Sequence, residues 1–161
     1  MHRRLRIVTL AAVATVALGA TTAQAESDPD KQVLYRRAVF QAMGGSAKAI
    51  NSILKQEAGD PANLGFHAAS LAAAAKAVHA AVKPKAMPVV EKSAALPKIW
   101  DEWDKFAEGV KVLEQETAKL AATPADDLAA FGAQMGAVGK ACKECHDNYK
   151  EKPPETAPVK K

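Results

Sequence analysis

Apolar residues recur along most of this chain at alternating spacings of three and four, and proline and glycine interrupt the rhythm at four places. The interruptions are Gly59-Asp60-Pro61, the stretch from Lys83 to Pro97, Thr123-Pro124, and Pro153-Pro154. Between them lie four segments of helical length. The first, about Asp28 to Glu57, carries Val33, Arg36, Phe40, Met43, Ala47, Ile50 and Leu54 on one stripe. The second, about Ala62 to Val82, carries Leu64, Ala68, Leu71, Ala75, Val78 and Val82. In the third, about Lys98 to Ala121, the stripe is Ile99, Trp103, Phe106, Val110, Leu113, Thr117 and Leu120. The fourth, about Pro124 to Lys150, offers Leu128, Phe131, Met135, Val138, Cys142, Cys145 and Tyr149. Its start is marked by Thr123 as N-cap, Pro124 in the first turn and the acids Asp126 and Asp127. One such stripe per segment is the seam of a left-handed bundle, so the pattern predicts an all-α four-helix bundle. No stretch of useful length has strand period, and there is no internal repeat.

The fourth stripe ends in chemistry. Cys142-Lys143-Glu144-Cys145-His146 holds the only two cysteines of the chain, and C-x-x-C-H is the attachment signature of c-type haem. Positions i, i+3 and i+4 share a helix face, so both thiols reach the two vinyl groups of one porphyrin. His146, one turn beyond Cys142, can then place an imidazole nitrogen on the iron. Because both cysteines belong to the inward stripe, the haem edge faces the bundle interior. A core of alanines and medium aliphatics leaves room for it. Three other uses of the pair compete. Structural zinc needs four ligands and would have to recruit His67, His79 or carboxylates. A thioredoxin-like dithiol belongs at a helix N-terminus, whereas this pair lies near a C-terminus, where the dipole disfavours thiolate. A plain disulfide leaves His146 without a role.

Arg36 breaks the first stripe. A buried guanidinium is costly alone, and a haem propionate would satisfy it; the alternative is that Arg36 snorkels to solvent. Arg37 points further round the helix and is the weaker candidate for the propionate side. What faces the iron opposite His146 decides spin state. Met135 lies eleven residues before His146 on the same helix, about 16 Å along it, and cannot wrap round the ring. His67 and His79 fall off the inward stripe and are expected to be solvated. Met87 sits in the long loop. Met43 is the serious rival, three residues after Phe40, which cannot ligate at all.

The chain ends qualify the charge. Met1-His2-Arg3-Arg4-Leu5-Arg6, an apolar run from Ile7 to Ala20 and Ala23-Gln24-Ala25 read as a cleavable secretory signal over residues 1–25. The run is too short to span a membrane, so no membrane segment is expected in the mature form, residues 26–161. Removing the signal takes three arginines and no acid. The full chain's 22 basic and 18 acidic side chains become 19 and 18, a charge near +1 in place of +4. That balance, without a basic patch interleaved with aromatics, argues against nucleic-acid binding. About 136 residues suit one domain, with a frayed Pro- and Lys-rich tail over 151–161. Export fits c-type haem, which is attached outside the cytoplasm; the expected location is the periplasm.

The mature length resembles the cytochrome c′ family. The resemblance rests on Tyr35-Arg36 with Phe40 four residues after the arginine, and on Leu96-Pro97-Lys98-Ile99-Trp100 leading into Phe106. It rests most on Val138-Gly139-Lys140-Ala141-Cys142-Lys143-Glu144-Cys145-His146-Asp147-Asn148-Tyr149-Lys150. It implies a periplasmic antiparallel four-helix bundle, often a homodimer, with one covalent haem c that is five-coordinate and binds nitric oxide or carbon monoxide. Cys142 and Cys145 would be the thioether sites and His146 the axial iron ligand. Arg36 would sit by a propionate. Phe40 would match the apolar distal wall, where related low-spin bundle cytochromes place a ligating methionine. Lys150 stands where the family commonly has arginine, keeping the charge without the planar fork. The expected role is gas binding or electron transfer with periplasmic redox partners. The alternative is a low-spin electron carrier with Met43 as sixth ligand. No inward His, Asp or Glu flanks Phe40 to act as acid or base, so an enzyme is not expected.

Overall fold

Asp28 opens α1 (Pro29–Leu54) by accepting a hydrogen bond from the Asp30 amide at 3.0 Å, and Pro29 occupies the first turn, where its missing N–H leaves nothing unsatisfied. The computed structural model describes residues 28–83 and 93–152. After α1 come a 3-10 turn (Pro61–Asn63), α2 (Leu64–Ala75), α3 (Val78–Val82), α4 (Lys98–Asp101), α5 (Trp103–Ala122) and α6 (Leu128–Tyr149). These make four rods. The second is jointed between α2 and α3, and the third at Glu102, whose backbone leaves the helix at φ −117°, ψ 40°. The molecule is an antiparallel all-α four-helix bundle. Among the described residues the only β pairing is a single bridge between Ala95 and Lys150.

Turn chemistry sets the joints. Gln56 takes φ 57° just past α1, and Gly59 takes φ 94°. A Cβ on Gly59 would stand 2.8 Å from Ile53 Cγ1, so the turn requires glycine there for space as well as for backbone. Asp60 then accepts from the Ala62 amide at 2.9 Å and starts the next rod. The fourth rod starts later than Pro124. The Thr123 hydroxyl donates back to the Lys119 carbonyl of α5 at 2.9 Å, while Asp127 Oδ1 accepts from the Ala130 amide at 2.9 Å and caps α6. Thr123 therefore closes one helix instead of opening the next, and Asp127 is the true N-cap.

The second and third stripes are buried as expected, except that Trp103 is half-buried. Thr117, fully buried, satisfies its hydroxyl on the Leu113 carbonyl at 2.9 Å. The first stripe is corrected. Val39 and Ile53 are buried with Val33, Arg36, Met43 and Ile50, Leu54 is half-buried, and Phe40 is 38% exposed. A straight helix drifts against a strict three–four repeat, so the inward line passes over Val39 and leaves Phe40 at its rim. In α6 Phe131, Met135 and Val138 are buried as expected, Cys142, Cys145 and Tyr149 are half-buried with Ala141 buried beside them, and Leu128 is exposed. Phe131, Ile50, Leu64, Leu71 and Leu120 are the largest fully buried apolar side chains, each contributing about 1.5–3 kcal/mol.

α1 packs on α2 and α3, α2 on α5, and α5 on α6, whereas α1 and α6 share little direct contact. Trp100 ties α4 to the second rod by donating its indole N–H to the Val82 carbonyl at the end of α3, 3.1 Å away. Residues 1–27, 84–92 and 153–161 lie outside the described residues, and with them the expected signal, Met87 and most of the expected tail. Among the described residues no helix is long and apolar enough to cross a membrane.

Candidate functional site

The last two turns of α6 carry the motif. Cys142 and Cys145 are half-buried free thiols packed against the apolar core. His146 follows on the exposed side. Burial pushes the Cys142 thiol above its ordinary pKa, and burial with the neighbouring Cys142 pushes Cys145 up to about 11. Both are protonated at neutral pH, which removes the case for a reactive dithiol. Among the described residues no three His, Cys, Asp or Glu side chains are placed to hold a metal ion together. His146 moves the other way. Partial desolvation, then the Lys150 charge, lower its pKa against an opposing pull from Asp147, which favours the neutral imidazole that ligates iron.

Around the motif, exposed ion pairs lie on the solvent face. Lys143 contacts the Asp147 carboxylate and Lys140 sits 3.9 Å from Glu144, pairs that contribute little at a surface. On the inner side, Tyr149 meets Phe106 edge-on at 5.4 Å and donates its hydroxyl to Glu102 Oε2 at 3.2 Å. Burial, then Glu102, raise the phenol pKa.

Arg36 is 4% exposed, so it does not snorkel. Its Nη2 donates to Ser93 Oγ at 3.1 Å, its guanidinium lies 5.5 Å from the Trp100 ring centre, and burial lowers its pKa. Segment 93–96 continues from that contact to α6: the Leu96 amide donates to the Tyr149 carbonyl at 3.0 Å and the Glu151 amide to the Ala94 carbonyl at 2.7 Å. One short strip of chain thus connects Arg36 on α1 with the end of the C-x-x-C-H helix. Arg37 lies exposed on α1.

The other ligand candidates among the described residues lie as follows. Met43 and Met135 are buried in the apolar core. His67 and His79 are half-buried against rings, His67 at 5.4 Å from Phe66 and His79 at 5.1 Å from Trp103, which corrects their expected solvation. The pattern along the chain did not single out Ser93 or Glu102. Ser93 reaches its partner across 57 positions, which no local periodicity can signal. Glu102 could have been flagged by Lys98, four residues earlier.

A family model described as cytochrome C′ matches residues 31–150. The chain belongs to the cytochrome c′ family. Cytochrome c′ of Rhodospirillum rubrum is 33% identical over 93% of this chain and 99% of that one. Among solved structures, cytochrome c prime from Shewanella frigidimarina superposes with a TM-score of 0.71 at 26% identity, covering 78% of this chain and 98% of that one. A nitric oxide complex of a mutant cytochrome c prime from Alcaligenes xylosoxidans gives a TM-score of 0.67 at 28% identity, covering 79% and 98%. The family carries one covalently attached haem c. The residues here fit that group: two half-buried thiols a turn apart, an imidazole next to them whose pKa is lowered chiefly by desolvation, and a buried guanidinium on α1.

Proposed function

We propose that this cytochrome c′ family member is a periplasmic, five-coordinate, high-spin haem c protein that binds nitric oxide or carbon monoxide, takes part in electron transfer, or does both, without being an enzyme. Cys142 and Cys145 hold the group by thioethers, His146 ligates the iron, and Arg36 holds a propionate, with Arg37 contributing charge outside it. Phe40 walls the opposite side. When bound, the haem supplies an iron that takes up one gas molecule or one electron. The chain's own contribution is to fix the imidazole on one side and, among the described residues, to set Phe40 and not a donor on the other.

The single observation that carries this assignment is the placement of Met43. Its thioether packs in the apolar core, 6% exposed, while the residue one turn after Arg36 is donorless Phe40. The nitric oxide complex of the Alcaligenes xylosoxidans relative supports gas as the ligand class. A homodimer is the expected assembly, supported by Leu34 (48% exposed), Phe66 (69%) and the small exposed Ala38 and Ala42. Sedimentation equilibrium at micromolar concentration tests it, and a monomer rejects it.

Carbon monoxide binding to the ferrous protein, followed by stopped-flow absorption, is the functional test. Uptake without a ligand-displacement phase is expected. A slow phase independent of carbon monoxide concentration would mean that a side chain must first leave the iron.

A further inference from the structure

Among the described residues nothing hydrogen bonds the His146 imidazole, so its direction is set by the backbone turn that carries it. That turn is gripped twice. The strip at 94–96 holds its backbone through Leu96 to Tyr149 and Glu151 to Ala94. Glu102, at the joint of α4 and α5, holds its side-chain face by accepting the Tyr149 hydroxyl at 3.2 Å across 47 positions. Glu102 is itself pinned. Lys98 lies 3.8 Å from Oε2 and Lys105 4.0 Å from Oε1, and its side chain is 31% exposed. Lys98 also stands 5.7 Å from the Tyr149 ring centre, and Phe106 braces that ring from α5.

A half-buried carboxylate at a helix joint, cradled by two lysines and aimed at one phenol, is more apparatus than holding α6 in place requires. The Tyr149 ring already packs against Phe106, and the backbone strip already holds the chain end. The hydroxyl contact adds a rotational constraint on the last turn. His146 lies three residues before Tyr149, less than one turn away, so rotation there transfers to the imidazole.

We propose that Glu102 is a positioning residue for the His146 imidazole. Through Tyr149 it sets the rotation of the last turn of α6, and so the strength of the iron–histidine bond. The proposal rests on the haem assignment above, and its test separates the two. The haem-loaded protein is compared with Glu102→Ala, Tyr149→Phe, Glu102→Gln and a control, Glu116→Gln, by resonance Raman of the ferrous form, redox titration and thermal melting. Glu102→Ala and Tyr149→Phe are expected to shift the iron–histidine stretching band downward and to raise the reduction potential, because a strained imidazole donates less to ferric iron. Glu102→Gln keeps an acceptor for the phenol and should restore the band toward wild type. Glu116→Gln should melt earlier with its band unmoved. If Glu102→Ala and Tyr149→Phe melt earlier while band and potential stay at wild-type values, Glu102 is merely structural and the proposal is overturned. Should the alanine variant fail to fold, Tyr149→Phe, which keeps the ring packing, decides alone. A wild-type protein lacking covalent haem by intact mass overturns the haem assignment and this proposal together.

Discussion

At the scale of single residues, the proposed spin state turns on Phe40 and Met43. Three positions apart on α1, one is at the rim and the other is in the core. Phe40→Met puts a thioether where the phenyl stood, and a six-coordinate low-spin spectrum is expected from absorption of the oxidised protein. Phe40→Ala removes the wall; carbon monoxide association should quicken by about tenfold, equivalent to ~1.4 kcal/mol of barrier. Unchanged association would mean that Phe40 does not crowd the gas face. The thiols make a separate claim. Cys142→Ser or Cys145→Ser should each leave one thioether by intact mass, and the double variant none. The motif itself was fully legible, because five consecutive residues carry all its covalent chemistry. The distal side was not. Phe40 sits on the nominal stripe, and only the drift of a real helix shows that Val39 takes the buried place.

At the scale of elements, joints and links matter more than the rods. Gln56 carries φ 57° without being glycine, so Gln56→Gly should stabilise the protein by about 0.5–1 kcal/mol in chemical denaturation. The α5–α6 edge is tied by Gln134, whose amide donates to the Glu116 carboxylate at 2.7 Å, while Lys119 donates to the same carboxylate at 2.6 Å. Those hydrogen bonds, Lys119 first, lower the Glu116 pKa below its ordinary value. A carboxylate depressed in the folded state stabilises it above the unfolded pKa and loses that contribution as pH falls through the folded one. Melting temperature of the wild type should therefore fall more steeply on acidification below the ordinary glutamate range than that of Glu116→Gln. Parallel curves would refute the link. Rod positions were readable because burying one face per helix imposes a period. The start of α6 was misread because Thr123 and Asp127 are both good caps, and only the turn at Pro124 decides which helix each serves.

At the scale of the whole molecule, a strip of chain joins Arg36 on α1 to the end of the C-x-x-C-H helix, and the proposed reading has α6 hold the haem and α1 receive a propionate. The bundle was legible as a class from four stripes and four breaks. The cross-links were not, because Ser93, Trp100 and Glu102 reach partners tens of positions away, which no local period signals. The most direct measurement of the central claim is the absorption spectrum of the purified protein, oxidised and reduced, at neutral pH. A high-spin five-coordinate spectrum in both states, converted by carbon monoxide without a displacement phase, is predicted. A methionine-to-iron band in the oxidised protein, or a low-spin reduced spectrum, would contradict it.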